Sequence, residues 1–254
     1  MREFMGGMNM DASCLDKTDL LDYDKEVIQR LVKEEEWMRL ELFDRIGMIY
    51  DFVRNDILFG YNENDLLPAS KILTDGYGQC NTKAILLMAL FRAVDIPCRL
   101  HGFTVDKKVQ KGLIPGIMYN QAPDSIVHSW VEVAYEDKWI ALEGVILDQR
   151  YLTNLQKKNA QIQGLFCGYG VADQNFQHPK VEWNGKDTYI QRECINHDFG
   201  VFKSPDAFFK KHPQPFSAIQ QYAYEKFGRK MMNQTVAKIR ALKYADMPEE
   251  EIKN

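Results

Sequence analysis

Three observations predict a chain that mixes helices with antiparallel strands. A near-continuous apolar block, Ala84 to Val94, reads as a helix buried almost all round. Ile126 to Tyr135 and Trp139 to Leu147 alternate and are rich in Val, Ile, Trp and Tyr, which predicts two strands of a hairpin joined across Glu136-Asp137-Lys138. Ahead of both, Val27, Ile28, Leu31 and Val32, then Leu42, Ile46, Ile49, Val53 and Ile57, recur at helical spacing.

The remaining elements follow in chain order. The run Lys33-Glu34-Glu35-Glu36 is a solvated helix face, and Asn62 to Pro68 is a loop by its Asn, Asp and Pro content. Gly76-Tyr77-Gly78-Gln79-Cys80 leads into the apolar helix. Asp95-Ile96-Pro97 ends it, because a short polar residue tolerates the left-handed cap and proline cannot continue a helix. Arg99 to Val105 reads as a strand. Asp106 to Asp124, with Gly112, Pro115, Gly116 and Pro123, reads as a loop of about twenty residues, a length often reserved for function. Past Tyr151 the pattern weakens until Ser204-Pro205-Asp206, a capping hydroxyl before a proline at the first helical position. His212-Pro213-Gln214-Pro215 breaks that helix, and a last one runs from Phe216 towards Ala245 with a kink near Gly228.

Composition excludes several classes. Among 254 residues, 32 Lys and Arg stand against 36 Asp and Glu, and no basic stripe marks a nucleic-acid partner. Five irregularly spaced cysteines make a poor disulfide framework and fit a reducing compartment. Met1 to Lys17 shows no leader pattern, and the longest apolar run, Ala84 to Phe91, falls far short of the roughly 20 residues of a membrane span. A soluble cytoplasmic protein without nucleic-acid or membrane partners is expected.

Cys80 carries the most chemical information. At a helix start a thiol feels the positive end of the dipole and the free first-turn amides, which favour thiolate. With Glu136-Asp137 as the hairpin loop, Trp130 sits opposite Glu143, and His128 lies on the same face one diagonal away. A cysteine, a histidine and a carboxylate are the parts of a thiol triad. The imidazole shares the thiol proton, the carboxylate fixes its tautomer, and the thiolate attacks a carbonyl.

Gly76-Tyr77-Gly78-Gln79-Cys80, Leu90-Phe91-Arg92-Ala93, Ile96-Pro97-Cys98-Arg99, His128-Ser129-Trp130-Val131-Glu132-Val133 and Trp139-Ile140-Ala141-Leu142-Glu143 together resemble the transglutaminase-like cysteine-enzyme superfamily. The likeness covers about residues 45–152. It implies an α+β fold with a papain/transglutaminase-like core, the nucleophile helix packed on an antiparallel sheet, and extra N- and C-terminal helices. It maps the nucleophile to Cys80, the general base to His128 and the orienting acid to Glu143, and implies no metal or organic cofactor. Glu143 stands where the family more often has Asp, and Asp95 where a glycine usually ends the helix. Residues 1–254 are read as one domain, with 153–254 an extension packed on the core, since no Gly/Ser- or Pro-rich linker separates them.

The backbone N–H of Cys80 is the natural first oxyanion donor, and Gln79 or Tyr77 a second. With Trp130, a core or pocket-wall aromatic, these are the candidate substrate-binding residues. Asp148 and Asp137 read as turn and surface carboxylates, and His101 as a structural histidine. Cys194 and His197 lack a second ligand pair, so no zinc site is expected. The expected function is cysteine-dependent cleavage or transfer of an amide acyl group, on a peptide or small-molecule amide. Hydrolysis stands ahead of a transglutaminase-type transfer to an amine, and a non-catalytic binding protein on the same fold is the alternative of another class.

Overall fold

The computed structural model describes residues 12–243. The opening stretch Met1 to Asp11, where no leader is expected, and the end of the last helix at Ala245 lie outside them.

Two amphipathic helices open the fold as predicted. α1 (Glu26–Glu34) buries Ile28 and Val32, and α2 (Leu42–Asn55) buries Ile46, Ile49, Tyr50 and Val53. A short strand β1 (Leu58–Phe59) pairs in parallel with β2 (Tyr77–Gly78), and between them α3 (Ala69–Asp75) ends at Gly76 in the left-handed region, φ 70°. α4 (Cys80–Ala93) follows at once. Residues 81–92 are all buried, because α1, α2 and α3 pack around one side and the sheet around the other. Asp95 takes the left-handed conformation after it, φ 60°.

β3 (Cys98–Asp106) and β4 (Ser125–Tyr135) pair antiparallel, with Phe103 opposite His128. The segment between them is not the bare loop the sequence predicts. It holds a 3-10 turn, Lys107–Gln110, capped by the Asp106 carboxylate, and a short helix α5 (Gly116–Gln121). Pro115, counted among the loop residues, is the extended residue before that helix. β4 then turns into β5 (Lys138–Ala141) through Glu136 and Asp137, at φ 47° and 57°. Both central residues are left-handed, the geometry that matches strand twist in a two-residue hairpin.

β5 is shorter than the predicted Trp139 to Leu147. Leu142 N–H still donates to Val131 O at 2.8 Å, and then the chain leaves the ladder into a 3-10 turn, Glu143–Ile146. Gly144 permits this, since a Cβ there would lie 2.6 Å from Tyr50 Oη and 2.9 Å from the Val181 backbone. Lys83 Nζ on α4, fully buried, donates to the carbonyls of Arg54, Val145 and Ile146 at 3.0 Å each, so α2, α4 and this turn share one fastening.

The second half contains elements without a clear pattern: α6 (Gln149–Lys158), a small hairpin of β6 (Phe166–Gly168) and β7 (Val171–Asp173), and β8 (Ile195–Phe202). β8 adds to β3, giving an antiparallel sheet in the order β5-β4-β3-β8. α7 (Pro205–Lys211) is capped by Ser204 as predicted. The last helix divides into α8 (Ala218–Ala223), a π turn (Tyr224–Gly228) and α9 (Arg229–Arg240), which places the kink at the expected glycine.

Asp148 corrects a surface expectation. Its carboxylate is buried, caps α6 through Tyr151 N–H, accepts from Phe59 N–H, and pairs with Arg240 of α9 at 2.6 Å. No helix among the described residues is long and apolar enough to cross a membrane.

Candidate active site

Cys80 is the first residue of α4, half-buried, at the floor of a cleft of about 280 Å³. Gln79 before it is extended, and the Thr82 hydroxyl accepts from the Gln79 N–H at 3.0 Å. This fixes the helix start. Asn81, one residue on, reaches across to β4: its Nδ2 donates to Val127 O at 3.0 Å, and its Oδ1 accepts from Ser129 Oγ at 2.9 Å. Val127 and Ser129 flank His128. The residue after the cysteine is therefore stitched to both neighbours of the histidine, a link no local sequence signal announces.

His128 is wholly buried, and its Nε2 lies 2.7 Å from Glu143 Oε1, also wholly buried. Facing a carboxylate, Nε2 carries the proton. Nδ1 is buried with no hydrogen bond of ordinary geometry, and Cys80 is the side chain acting on the ring besides Glu143. The other Glu143 oxygen, Oε2, accepts from the backbone N–H groups of Ile190 and Gln191 at 3.0 Å each. Sequence reading misses these two anchors because they lie in a loop with no periodicity.

Burial works against charge on His128, but the Cys80 charge and hydrogen bond, followed by those of Glu143, outweigh it and push the imidazole up to about 10. The raised value makes the imidazolium stabilising below its ordinary 6.5, a contribution lost as pH rises through about 10. Titration of the His128 ring nitrogens by NMR is expected to show a protonated ring up to about pH 10. Deprotonation near 6.5 would contradict the pairing.

The three residues expected to share chemistry thus converge. Of the candidate substrate contacts, Gln79 lines the cleft, but its side chain is engaged: Oε1 accepts from Asn62 N–H at 2.9 Å and Nε2 donates to Asp65 Oδ1 at 2.9 Å. Tyr77 and Trp130 do not line it. Tyr77 sits on β2 with its ring against Gly60, and Trp130 packs on Phe103 at 4.0 Å between ring centres, beside Tyr189. His101 is satisfied by Glu132 and Asp198, and Asp137 stays in its turn. Cys194 approaches Cys167, Sγ to Sγ 2.8 Å, and among the described residues no cluster of three or more His, Cys, Asp or Glu is placed to hold a metal.

The second half of the chain builds much of the cleft wall through Gln191, Pro213, Gln214, Phe216, Gln221 and Tyr224. From the segment before β4, Val109 and Gln110 contribute.

A helix that starts at a cysteine and packs on an antiparallel sheet bearing a histidine is the architecture of papain-like cysteine enzymes. Residues 29–144, just under half of the chain, match the family model of the transglutaminase-like superfamily. No curated protein matches the chain. A similar solved structure is that of a proposed cysteine protease from Cytophaga hutchinsonii, 16% identical, with a TM-score of 0.45 over 78% of this chain and 50% of that one. This chain thus spans about half the length of that protein.

Proposed function

We propose that the protein is a thiol enzyme that cleaves an amide through an acyl thioester on Cys80, water resolving the intermediate, with transfer to an amine as the second form. The observation that carries this is the fully buried His128–Glu143 bond, which leaves Nδ1 of the ring for the thiol. In this reading Cys80 Sγ attacks the carbonyl carbon, and the imidazolium protonates the departing amine from Nδ1. Nδ1 then takes a proton from water as the thioester is hydrolysed, releasing carboxylate and thiol. First-turn N–H groups of α4 supply the oxyanion donors nearest to hand.

The test has two arms. Alkylation of the five cysteines by iodoacetamide at pH 6, read by mass spectrometry, is expected to mark Cys80 first, and to lose that preference in His128→Ala. Amide turnover, screened on peptide and small-molecule amides with and without added amine, is expected to vanish in Cys80→Ala. If Cys80 reacts no faster than the other thiols and no amide is turned over, the non-catalytic alternative replaces this reading.

A further inference from the structure

Among the described residues lining the cleft, Asp65 alone bears a formal charge; the others are apolar, aromatic, amide-bearing or the thiol itself. The carboxylate is locked in place by neutral donors. Gln79 Nε2 donates to Oδ1 at 2.9 Å, and Gln214 Nε2 donates to Oδ2 at 2.7 Å. The Asn81 amide and the His128 charge also act on the carboxylate, and the residue remains partly exposed to the cleft. No lysine or arginine among the described residues pairs with it. Its anchor, Gln79, immediately precedes the nucleophile, so the carboxylate is held at a fixed place relative to Cys80.

The charges do not cancel within the site. On the proposed function, on which this inference rests, a thiolate at Cys80 and the carboxylate of Glu143 face the single imidazolium of His128. The cleft therefore carries net negative charge between walls such as Tyr61, Phe216 and Tyr224, which focus its field on whatever enters. Burial pushes the Asp65 carboxyl above its ordinary 3.8, while the amides of Gln214, Gln79 and Asn81 and the His128 charge favour its anion, and a carboxylate in such a setting is satisfied best by a cation with an apolar stem. We propose that Asp65 is a specificity residue, and that the acyl substrate carries an alkyl ammonium or guanidinium group beside its reacting carbonyl.

The inference can be tested before a substrate is known, using three methanethiosulfonate reagents that modify Cys80: one bearing an ethylammonium, one a neutral methyl and one an ethylsulfonate. Rates at pH 7.5 are divided by those of 2-mercaptoethanol with the same reagent and then by the neutral-reagent value in each variant. In the unaltered protein the cationic reagent is expected to lead the anionic one by about tenfold or more, the range that charged clefts give. Asp65→Asn is expected to lower that ratio at least about threefold, leaving the part due to the rest of the site, while Asp65→Glu keeps most of it. A residue that only braces Gln79 and Gln214 would slow all three reagents together and leave the ratio alone. n-Butylammonium, but not n-butanol, is expected to protect Cys80 from the neutral reagent, and to stop protecting it in Asp65→Asn.

A ratio near unity in the unaltered protein, or one unmoved by Asp65→Asn, overturns the assignment. Failure of the underlying thiol reading looks different: the neutral reagent would then modify Cys80 no faster than an ordinary thiol.

Discussion

Glu143→Gln is expected to lower kcat/KM for an amide by about 10³–10⁴-fold while the protein stays folded. The argument turns on which way the new amide points. Oε2 of Glu143 receives two backbone N–H groups, from Ile190 and Gln191, and Oε1 receives one bond from the ring. An amide keeps both backbone bonds only by placing its oxygen there, which turns its NH₂ group towards His128 Nε2. The reverse orientation sets that NH₂ group against two buried donors. With the oxygen held by the backbone, Nε2 must accept, and the ring proton moves to Nδ1, the nitrogen that has to receive the proton of Cys80. The imidazole is then in the wrong tautomer for the proposed mechanism, a change that accounts for losses of this size in acyl-transfer triads. ¹⁵N spectra of His128 would report the switch directly. Turnover within tenfold of the parent, with an unchanged tautomer, would remove Glu143 from the mechanism.

The second large effect concerns stability. Asp148→Ala is expected to cost about 3–5 kcal/mol, because it leaves a largely buried guanidinium without its partner. Arg240 meets Asp148 at 2.6 Å, with side-chain exposures of 17% and 3%. The pair also grips β1 from both sides: Asp148 accepts from Phe59 N–H at 2.9 Å, and Arg240 donates to Phe59 O at 2.7 Å. Phe59 lines the cleft, so the variant should weaken ligand binding as well as folding. Burial raises the Asp148 carboxyl, but the Arg240 bond and charge and the N–H groups of Phe59 and Tyr151 outweigh it and hold it below 3.8. A lowered value means the pair stabilises above about pH 3.8 and fades as pH falls through the folded value, so the difference between parent and variant should shrink in acid. Urea unfolding of both proteins at pH 7 and pH 3 checks this. Equal midpoints at pH 7 would show that the clamp contributes nothing.

The parts of this site carried by local pattern were legible in the sequence. Gly76 to Cys80 followed by an apolar block places a thiol at a helix start, whereas the hairpin register that sets Glu143 beside His128 rests on the triad chemistry, since Glu136-Asp137 is a weak turn sequence and Glu143 itself lies in the 3-10 turn past the ladder. What escaped was long-range. β8 joins β3 across some ninety residues, and nothing in Ile195–Phe202 names its partner. Asn81 and Asp65 act through bonds to distant chain, in a helix start and a polar loop that look ordinary when read locally. Asp148 did carry a signal, an acidic residue three before Tyr151 at the start of a helix that buries Tyr151, Leu152 and Leu155, but the partners that bury it, Phe59 and Arg240, lie some ninety residues away on either side. Trp130 was a mixed case: its strand was plain, while the ring's place behind Phe103 depended on packing.

Glu143 lies inside the segment that matches the family, while the two N–H groups that hold its outer oxygen belong to residues 190 and 191, well beyond it. A graft of residues 29–144 into a foreign scaffold would carry thiol, imidazole and carboxylate together, yet leave the carboxylate free to swing. The proposed site is therefore not contained within the matched segment. Insertions or deletions between residues 145 and 189 are expected to loosen the carboxylate unless they return the Ile190 and Gln191 N–H groups to Glu143 Oε2.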